Sequence, residues 1–498
     1  MKWQKNQDSV PPFYLVKSSE KLHCAAVDLG ATSGRVILGT WDGTALISTE
    51  VHRFPNTIRT LGNHDYWDIA GLWHEVRTGL LKAAASLPAG ETLASVGVDT
   101  WGVDHVLINE AGRLVYPTHA YRDNRTQAGF KALKSKSTDH ARIYRATGIP
   151  AVFYNTSFQL AETVASSPEV KKLTAHCLFL PDYFNYLLCG RLANEVSISS
   201  TSQLLDVNGA KWSATALKHF GVPAHWFSTP INASTRLGRI SSIPELKKTS
   251  VVAVPGHDTA CAYEALPSSA DDNDLFISSG TWSLVGCKSP TPFVSTAAMK
   301  AGICNERTGD GRFRPLTNLI GLWLLEGTLK AFTERPTTNR QWQILIRAAS
   351  KLPAPRQLLD IDDPAFANPS SMKKAIDAQL RKNRTRPPQD LAGYVRLICD
   401  SLGQGHAQVL KKFTRLSGRT FKRILLVGGG AKNRLLCQAT ADAAGIPVVA
   451  LQVEGSALGN LGSQLIALKA FKSFADFREK IIHPLPSLTF KPRSPRSH

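Results

Sequence analysis

The chain has 498 residues and carries 59 Lys and Arg against 39 Asp and Glu, a formal net charge of +20. Hydrophobic residues make up 43% and charged residues 20%, a globular balance with enough length for two large cores. No apolar run reaches a membrane span, and the basic residues are spread along the chain rather than drawn into a stripe with interleaved aromatics, which argues against a nucleic-acid partner.

The first 22 residues lack the continuous apolar core of a signal peptide and read as an N-terminal extension. From His23, "HCAAVDLGATSGRVILGTWDGTALISTEVHRF" predicts two strands around a Gly/Ser/Thr turn, a hairpin turn at Trp41-Asp42-Gly43, and a third strand. "LASVGVDTWGVDHVLIN" predicts another strand, and helical patterns with loops follow up to Thr249. "SVVAVPG" then hands over to a helix in "HDTACAYEAL", placing Asp258 at the junction. By itself Asp258 reads equally as a helix N-cap or as a proton acceptor. The polar, acidic "PSSADDND", residues 267–274, predicts a linker.

Beyond it, "NDLFISSGTWSLVGCK" repeats the strand–turn–strand theme about half a chain later. The repeat predicts two related α/β halves, 23–266 and 275–470. Residues 351–388, rich in Pro, Asp and Arg, predict a loop-rich insertion or cap. An amphipathic helix around Leu391 to Phe413 precedes the strand "RILLVGGG", a helix opening at Asn433, the strand "PVVALQ" and the small-residue helix "SALGNLGSQLIALKAF". Residues 471–498 close the chain with the basic tail "KPRSPRSH". The eight cysteines have no C-x-x-C pair and no zinc spacing, so they read as free thiols of a reducing, cytoplasmic compartment.

Three turns after strands carry the chemistry. There is no G-x-x-x-x-G-K-[ST] loop. In the first turn Thr32, Ser33 and Gly34 offer donors to anionic oxygens, and Arg35 is placed to reach phosphate. Asp28, at the strand end, would repel that anion unless a cation lay between them, and hydrated Mg2+ is the natural one. Ser278, Ser279, Gly280 and Thr281 form a second cradle. Gly428, Gly429 and Gly430 remove side chains where something flat or bulky approaches the backbone. Two cradles in mirrored halves with a glycine turn describe a nucleotide held between domains, the arrangement of the actin-like ATPases.

The segments "AVDLGATSGRV", "GVDTWGVDHVLIN", "AYRDNRT", "NTSFQL", "LPDYFNYLLCGRLANE", "HDTACA", "SSGTWSLVG", "LTNLIGLWLLE", "DDPAFANPSSM", "LLVGGGAKNRLL" and "ALGNLGSQL" run in this order from about Cys24 to Lys469. In them the chain resembles the FGGY carbohydrate kinases. "VDTWGVD" and "NLIGLWLLE" resemble the branch of that family acting on L-rhamnulose. The resemblance implies a two-domain actin-like ATPase (ribonuclease H-like) fold with a central interdomain cleft. It also implies transfer of the γ-phosphoryl of ATP, with Mg2+, to the 1-hydroxyl of L-rhamnulose. By the same resemblance Asp258 is the catalytic base, and His257 and Thr259 bind the ketose. Gly102 is a further sugar contact, with Asp104 and Trp101 as neighbours, and Asn318 reaches in from the second domain. Ala31, Thr32, Ser33, Gly34, Arg35, Thr281, Glu326 and Gly429 hold ATP, and Asp28 faces Mg2+ through water.

Two positions depart from that pattern. Glu326 stands where Gln is expected, and a carboxylate there repels phosphates unless turned away or bridged by metal. Gly256 stands where Ser is expected. The rival readings are a kinase for another ketose (L-fuculose, L-xylulose or L-ribulose) and a non-catalytic sugar- and ATP-binding protein of the same fold. Oligomeric state is left open.

Overall fold

The computed structural model describes residues 21–269, 271–451 and 454–493. Most of the expected N-terminal extension, one linker residue and the end of the basic tail lie outside the described residues.

The all-buried run Cys24–Leu29 can exist only as a strand covered on both faces. Its strand, Leu22–Leu29, pairs antiparallel with Ser33–Trp41 and parallel with Leu93–Thr100 in a six-stranded sheet. The second half repeats this arrangement. Asp274–Ser279 pairs antiparallel with Trp282–Cys287 and parallel with Arg423–Val427, inside a seven-stranded sheet. The internal repeat of the sequence is therefore a repeat of topology, and the chain has the two-domain α/β fold of the actin-like ATPases.

One face of the first sheet is covered by the helix Ile69–Ala85, which buries Leu72, Val76 and Leu80. The other face is covered from the far end of the chain. In the helix Gly455–Ala467, Leu461 and Leu465 pack with Ala26 and Ile37. This helix is rich in small residues because it lies against the helix Asp258–Glu264: a Cβ on Gly459 would sit 1.9 Å from the Cys261 carbonyl oxygen. The chain then returns to the second sheet as its edge strand Ser487–Phe490. The second half thus serves both sheets.

A helical insertion with its own core, including Phe158, Phe220 and Trp226, rises beside the first sheet. The helix Leu391–Ser417 runs 27 residues from an Asp390 cap to Gly418 in the left-handed region. The stretch expected to be loop-rich contains a helix, Met372–Lys382, started by the Ser371 side chain. Met372, Ile376 and Leu380 form its buried stripe. Charged and polar residues around these three positions hide the period in the sequence. Among the described residues, no helix is long and apolar enough to cross a membrane.

Candidate active site

The strand Ser250–Ala253 ends in Pro255 and Gly256, and the chain turns into the helix Asp258–Glu264. Gly256 is fixed on three sides. Its N–H donates to Glu195 Oε2 at 2.9 Å, and its carbonyl accepts from Thr100 N at 2.9 Å. A Cβ there would meet Ile198 and Pro181 at 2.9–3.0 Å, so this packing leaves little room for the Ser expected at this position.

His257 occupies the N-cap position without a side-chain cap, and Asp258 is the first helical residue. The Asp258 carboxylate does not cap the helix in the usual way. Its Oδ1 accepts from Thr259 N at 2.5 Å and from Thr259 Oγ1 at 2.9 Å, and lies 3.3 Å from His257 Nε2. Oδ2 has no hydrogen-bond partner among the described residues, so one oxygen is anchored and the other is free. Burial pushes this carboxyl above the ordinary aspartate range, with His257 opposing and the charge of Asp28 adding to the rise.

A cavity of about 800 Å3 opens beside His257 between the two halves. Trp101, Gly102, Tyr154, Asn155 and Thr201 line it from the first half, and Leu284, Glu306, Thr317 and Asn318 from the second. Gly102 lies in a tight turn in which the next residue, Val103, takes φ 68°. This is a costly conformation for a β-branched residue. It is held by Thr201 Oγ1 on the Val103 N–H at 3.1 Å and by Thr156 Oγ1 on its carbonyl at 2.6 Å. A Cβ on Gly102 would stand 3.3 Å from His257 Nε2.

Asp104, expected as a neighbour of the sugar, is fully buried behind this turn. Its Oδ2 accepts from the indoles of Trp67 (2.6 Å) and Trp101 (2.8 Å) and from Tyr121 N (3.3 Å), and its Oδ1 from Gln159 Nε2 (3.1 Å). It holds the turn rather than facing the cavity. Burial pushes its carboxyl up to about 6 despite these donors. Tyr154, Thr201 and Glu306 were not singled out by the sequence. Asn155 opens the segment "NTSFQL", whereas Glu306 lies outside every segment that carries the resemblance, so its sequence offered no signal.

On the phosphate side, Asp28 and Asp99 stand in register on adjacent strands, and Thr100 bridges to His257. Three carboxylates (Asp28, Asp99, Asp258) therefore share one end of the sheet. Asp99 Oδ2 accepts from Asn460 Nδ2 at 2.6 Å, while its buried Oδ1 has no partner. Burial, and next Asp28, push Asp99 well above the ordinary range. Asp28 Oδ2 accepts from Arg35 Nε (3.0 Å), Arg35 Nη2 (2.8 Å) and Ser456 Oγ (2.5 Å), and its Oδ1 has no hydrogen-bond partner among the described residues. Arg35 Nη1 also donates to Glu454 at 2.6 Å, so in this structure the guanidinium braces Asp28 against the second half. Among the described residues no group of three His, Cys, Asp or Glu is gathered to hold a bare metal ion.

The first turn is closed by Gly30 N–H on Ser33 O at 3.0 Å and leaves Thr32 exposed, with Ala31 half-buried beside it. Gly34 is required by packing, since a Cβ would lie 2.3 Å from the Phe54 ring. The second turn meets the third. A Cβ on Gly428 would lie 2.7 Å from Ser279 O, and one on Gly430 2.2 Å from Ser279 Oγ. Gly429 alone faces open space, with nothing nearer than 3.8 Å. Beside them the Thr281 carbonyl accepts from Gly321 N and Trp323 N, both at 3.1 Å, at the start of the helix Trp323–Leu329. That helix carries Glu326, on whose carboxyl the Thr281 side chain acts.

A cleft with a half-anchored carboxylate on one side and paired Gly/Ser/Thr turns on the other suits phosphoryl transfer to a small polyol. Residues 24–263 match the N-terminal domain, and residues 275–468 the C-terminal domain, of the FGGY family of carbohydrate kinases. The chain belongs to that family. It is 41% identical over 461 residues to the rhamnulokinase of Klebsiella pneumoniae (strain 342), covering 92% of each chain. It is 40% identical over 474 residues to that of Enterobacter sp. (strain 638), covering 95% of each. Xylulose kinase from Rhodospirillum rubrum shares the fold at TM-score 0.77 and 16% identity, over 95% of both chains. Glycerol kinase from Plasmodium falciparum, with ADP, does so at 0.75 and 14%, over 95% of this chain and 94% of the other. As an FGGY kinase the chain is an ATP-dependent sugar kinase that uses Mg2+.

Proposed function

We propose that this FGGY kinase transfers the γ-phosphoryl of ATP to the 1-hydroxyl of L-rhamnulose, in the cytoplasm, as a step of L-rhamnose catabolism. The observation carrying the mechanism is the asymmetry of Asp258: Oδ1 is tied down by Thr259 and Oδ2 has no partner among the described residues, next in the chain to His257, which lines the cavity together with Gly102 and Asn318. The relatives of about 40% identity named rhamnulokinase support the choice of sugar.

The hydroxyl proton passes to Asp258 Oδ2 as the sugar oxygen bonds to the γ-phosphorus and the bond to the β-phosphate oxygen breaks. The raised carboxyl is a better proton acceptor than an ordinary aspartate, and such a base contributes about 10²–10⁴-fold. His257 and Asn318 orient the ketose, while the Gly102 backbone admits it closely. Ala31 to Gly34, Thr281 and Gly429 embrace the phosphates, and Arg35 joins them only on releasing Glu454. Asp28, whose Oδ1 has no partner among the described residues, would hold hydrated Mg2+, with Asp99 behind it. When bound, Mg2+ neutralises charge on the transferring phosphoryl group. The matched ranges support a division into domains 23–266 and 275–470, joined by the linker 267–274.

The test is ADP release with Mg·ATP across L-rhamnulose, L-fuculose, L-xylulose, L-ribulose and D-xylulose. Preference for L-rhamnulose, with kcat falling by at least about 10²-fold in Asp258→Asn, is expected. Preference for another ketose would move the substrate and keep the base. Sugar-independent behaviour throughout would leave a binding protein.

A further inference from the structure

Glu306 was not among the residues the sequence pointed to, yet it reaches the centre of the site from the opposite half. It lies on the edge strand Cys304–Arg307, whose antiparallel register with Phe313–Ile320 sets Glu306 directly across from Arg314. The pair is an ion pair built by sheet register. The Arg314 side chain is fully buried. Its Nε donates to Arg307 O at 3.1 Å, its Nη2 contacts both Glu306 Oε2 and His257 Nδ1, and its Nη1 has no partner. A guanidinium sealed in this way demands a carboxylate, and Glu306 is the one in contact. Burial acts to raise the Glu306 carboxyl, but Arg314, and then His257, hold it at about 2. It is therefore ionised at any working pH. Its Oε2 stands 3.1 Å from His257 Nδ1.

The Nδ1 side of the ring is thus occupied by the Glu306–Arg314 pair. Only Nε2 remains, 3.3 Å from Asp258 Oδ1 and 3.5 Å from Thr259 Oγ1, with Gly102 pressed against it. The second half orients a ring that belongs to the first.

We propose that Glu306, backed by Arg314, is a positioning residue that fixes His257, and through it the Asp258 carboxylate, from the far side of the cleft. The proposal rests on the reading of Asp258 as the base. Opening the cleft would part Glu306 from His257, so the base is aligned only when the halves meet. Transfer to a water that enters an open cleft is thereby disfavoured.

The experiment measures kcat and KM on the full chain for wild type, Glu306→Gln, His257→Ala and the double variant. Sugar-dependent ADP release by wild type that is lost in Asp258→Asn must come first. Its absence would overturn the kinase reading rather than this one. Glu306→Gln is expected to lower kcat about 10²-fold while the KM for Mg·ATP is unchanged. In the His257→Ala background the same substitution should change kcat by less than about twofold, because its effect passes through the ring. A full drop in that background would mean that Glu306 acts on the sugar directly and would overturn the proposal, as would an unchanged kcat in the single variant. If Arg314 left without its carboxylate prevents folding, Glu306→Gln with Arg314→Met removes both charges. A wild-type melting temperature with kcat still lost supports positioning, and a recovered kcat refutes it.

Discussion

Glu326 shows how one side chain can tune nucleotide binding. It sits near the turn of Thr281, and burial pushes its carboxyl above the ordinary glutamate range against the pull of Thr281 and Lys330. Protonation removes its charge as pH falls through that raised value, so repulsion of ATP is weakest in acid and grows as pH rises. The KM of wild type for Mg·ATP is therefore expected to rise as pH rises past the ordinary glutamate range. Glu326→Gln keeps the size of the side chain and removes the charge. It should lower the KM at neutral pH by about two- to fivefold, the worth of one partly exposed like charge, and flatten the pH dependence. A raised KM would instead mark Glu326 as an acceptor for the nucleotide. The sequence is legible at this scale where a residue stands on one motif: His257, Gly102 and Asn318 line one cavity, and Asp258 adjoins His257 in the chain. It is less legible at Asp104, whose donors Trp67 and Gln159 lie 37 and 55 residues away. A carboxylate's partners decide whether it faces ligand or framework, and those partners are not local.

The glycine turn after the strand Arg423–Val427 makes the same point for an element. Three consecutive glycines signal close backbone approach, but two of them are required by Ser279 of the facing turn, and only Gly429 is open to a ligand. The two turns are one structure assembled from both arms of the second sheet. Gly430→Ala would force a Cβ to within 2.2 Å of Ser279 Oγ and should destabilise the fold by about 1–3 kcal/mol, read as a lower melting temperature. Gly429→Ala should leave the melting temperature in place and raise the KM for Mg·ATP. The reverse pattern would mean that Gly430, not Gly429, meets the nucleotide. The helix Met372–Lys382 and the packing of Gly455–Ala467 escaped the sequence for related reasons. The first has a narrow apolar stripe in a charged setting. The small residues of the second say only that something comes close, not that it is the helix carrying Asp258.

At the scale of the whole molecule, that helix is held by charge at both ends. His257, at its start, is tied to Glu306 and Arg314. Glu264, at its end, is fully buried and receives Lys288 Nζ at 2.9 Å and Arg478 Nη1 at 2.6 Å. Lys288 also reaches Asp310 at 2.9 Å. One short helix of the first half is thus fastened to the second half by two separate ionic clusters. Removing one partner of a sealed cluster leaves a charge without compensation. Glu264→Gln should therefore cost about 3–5 kcal/mol in urea unfolding, far more than an exposed pair. The clusters also set an acid limit. Burial acts to raise Asp310, but Lys288 leads the groups that hold it at about 2, as Glu306 is held. With folded-state values below the ordinary carboxylate range, this stability is complete above about pH 4 and is lost as pH falls towards 2. Wild type should lose melting temperature over that window. Glu264→Gln leaves Lys288 and Arg478 to Asp310 alone, which holds that carboxyl lower still, so its loss should begin at lower pH. Parallel curves offset by a constant would show that Asp310 contributes independently of Glu264.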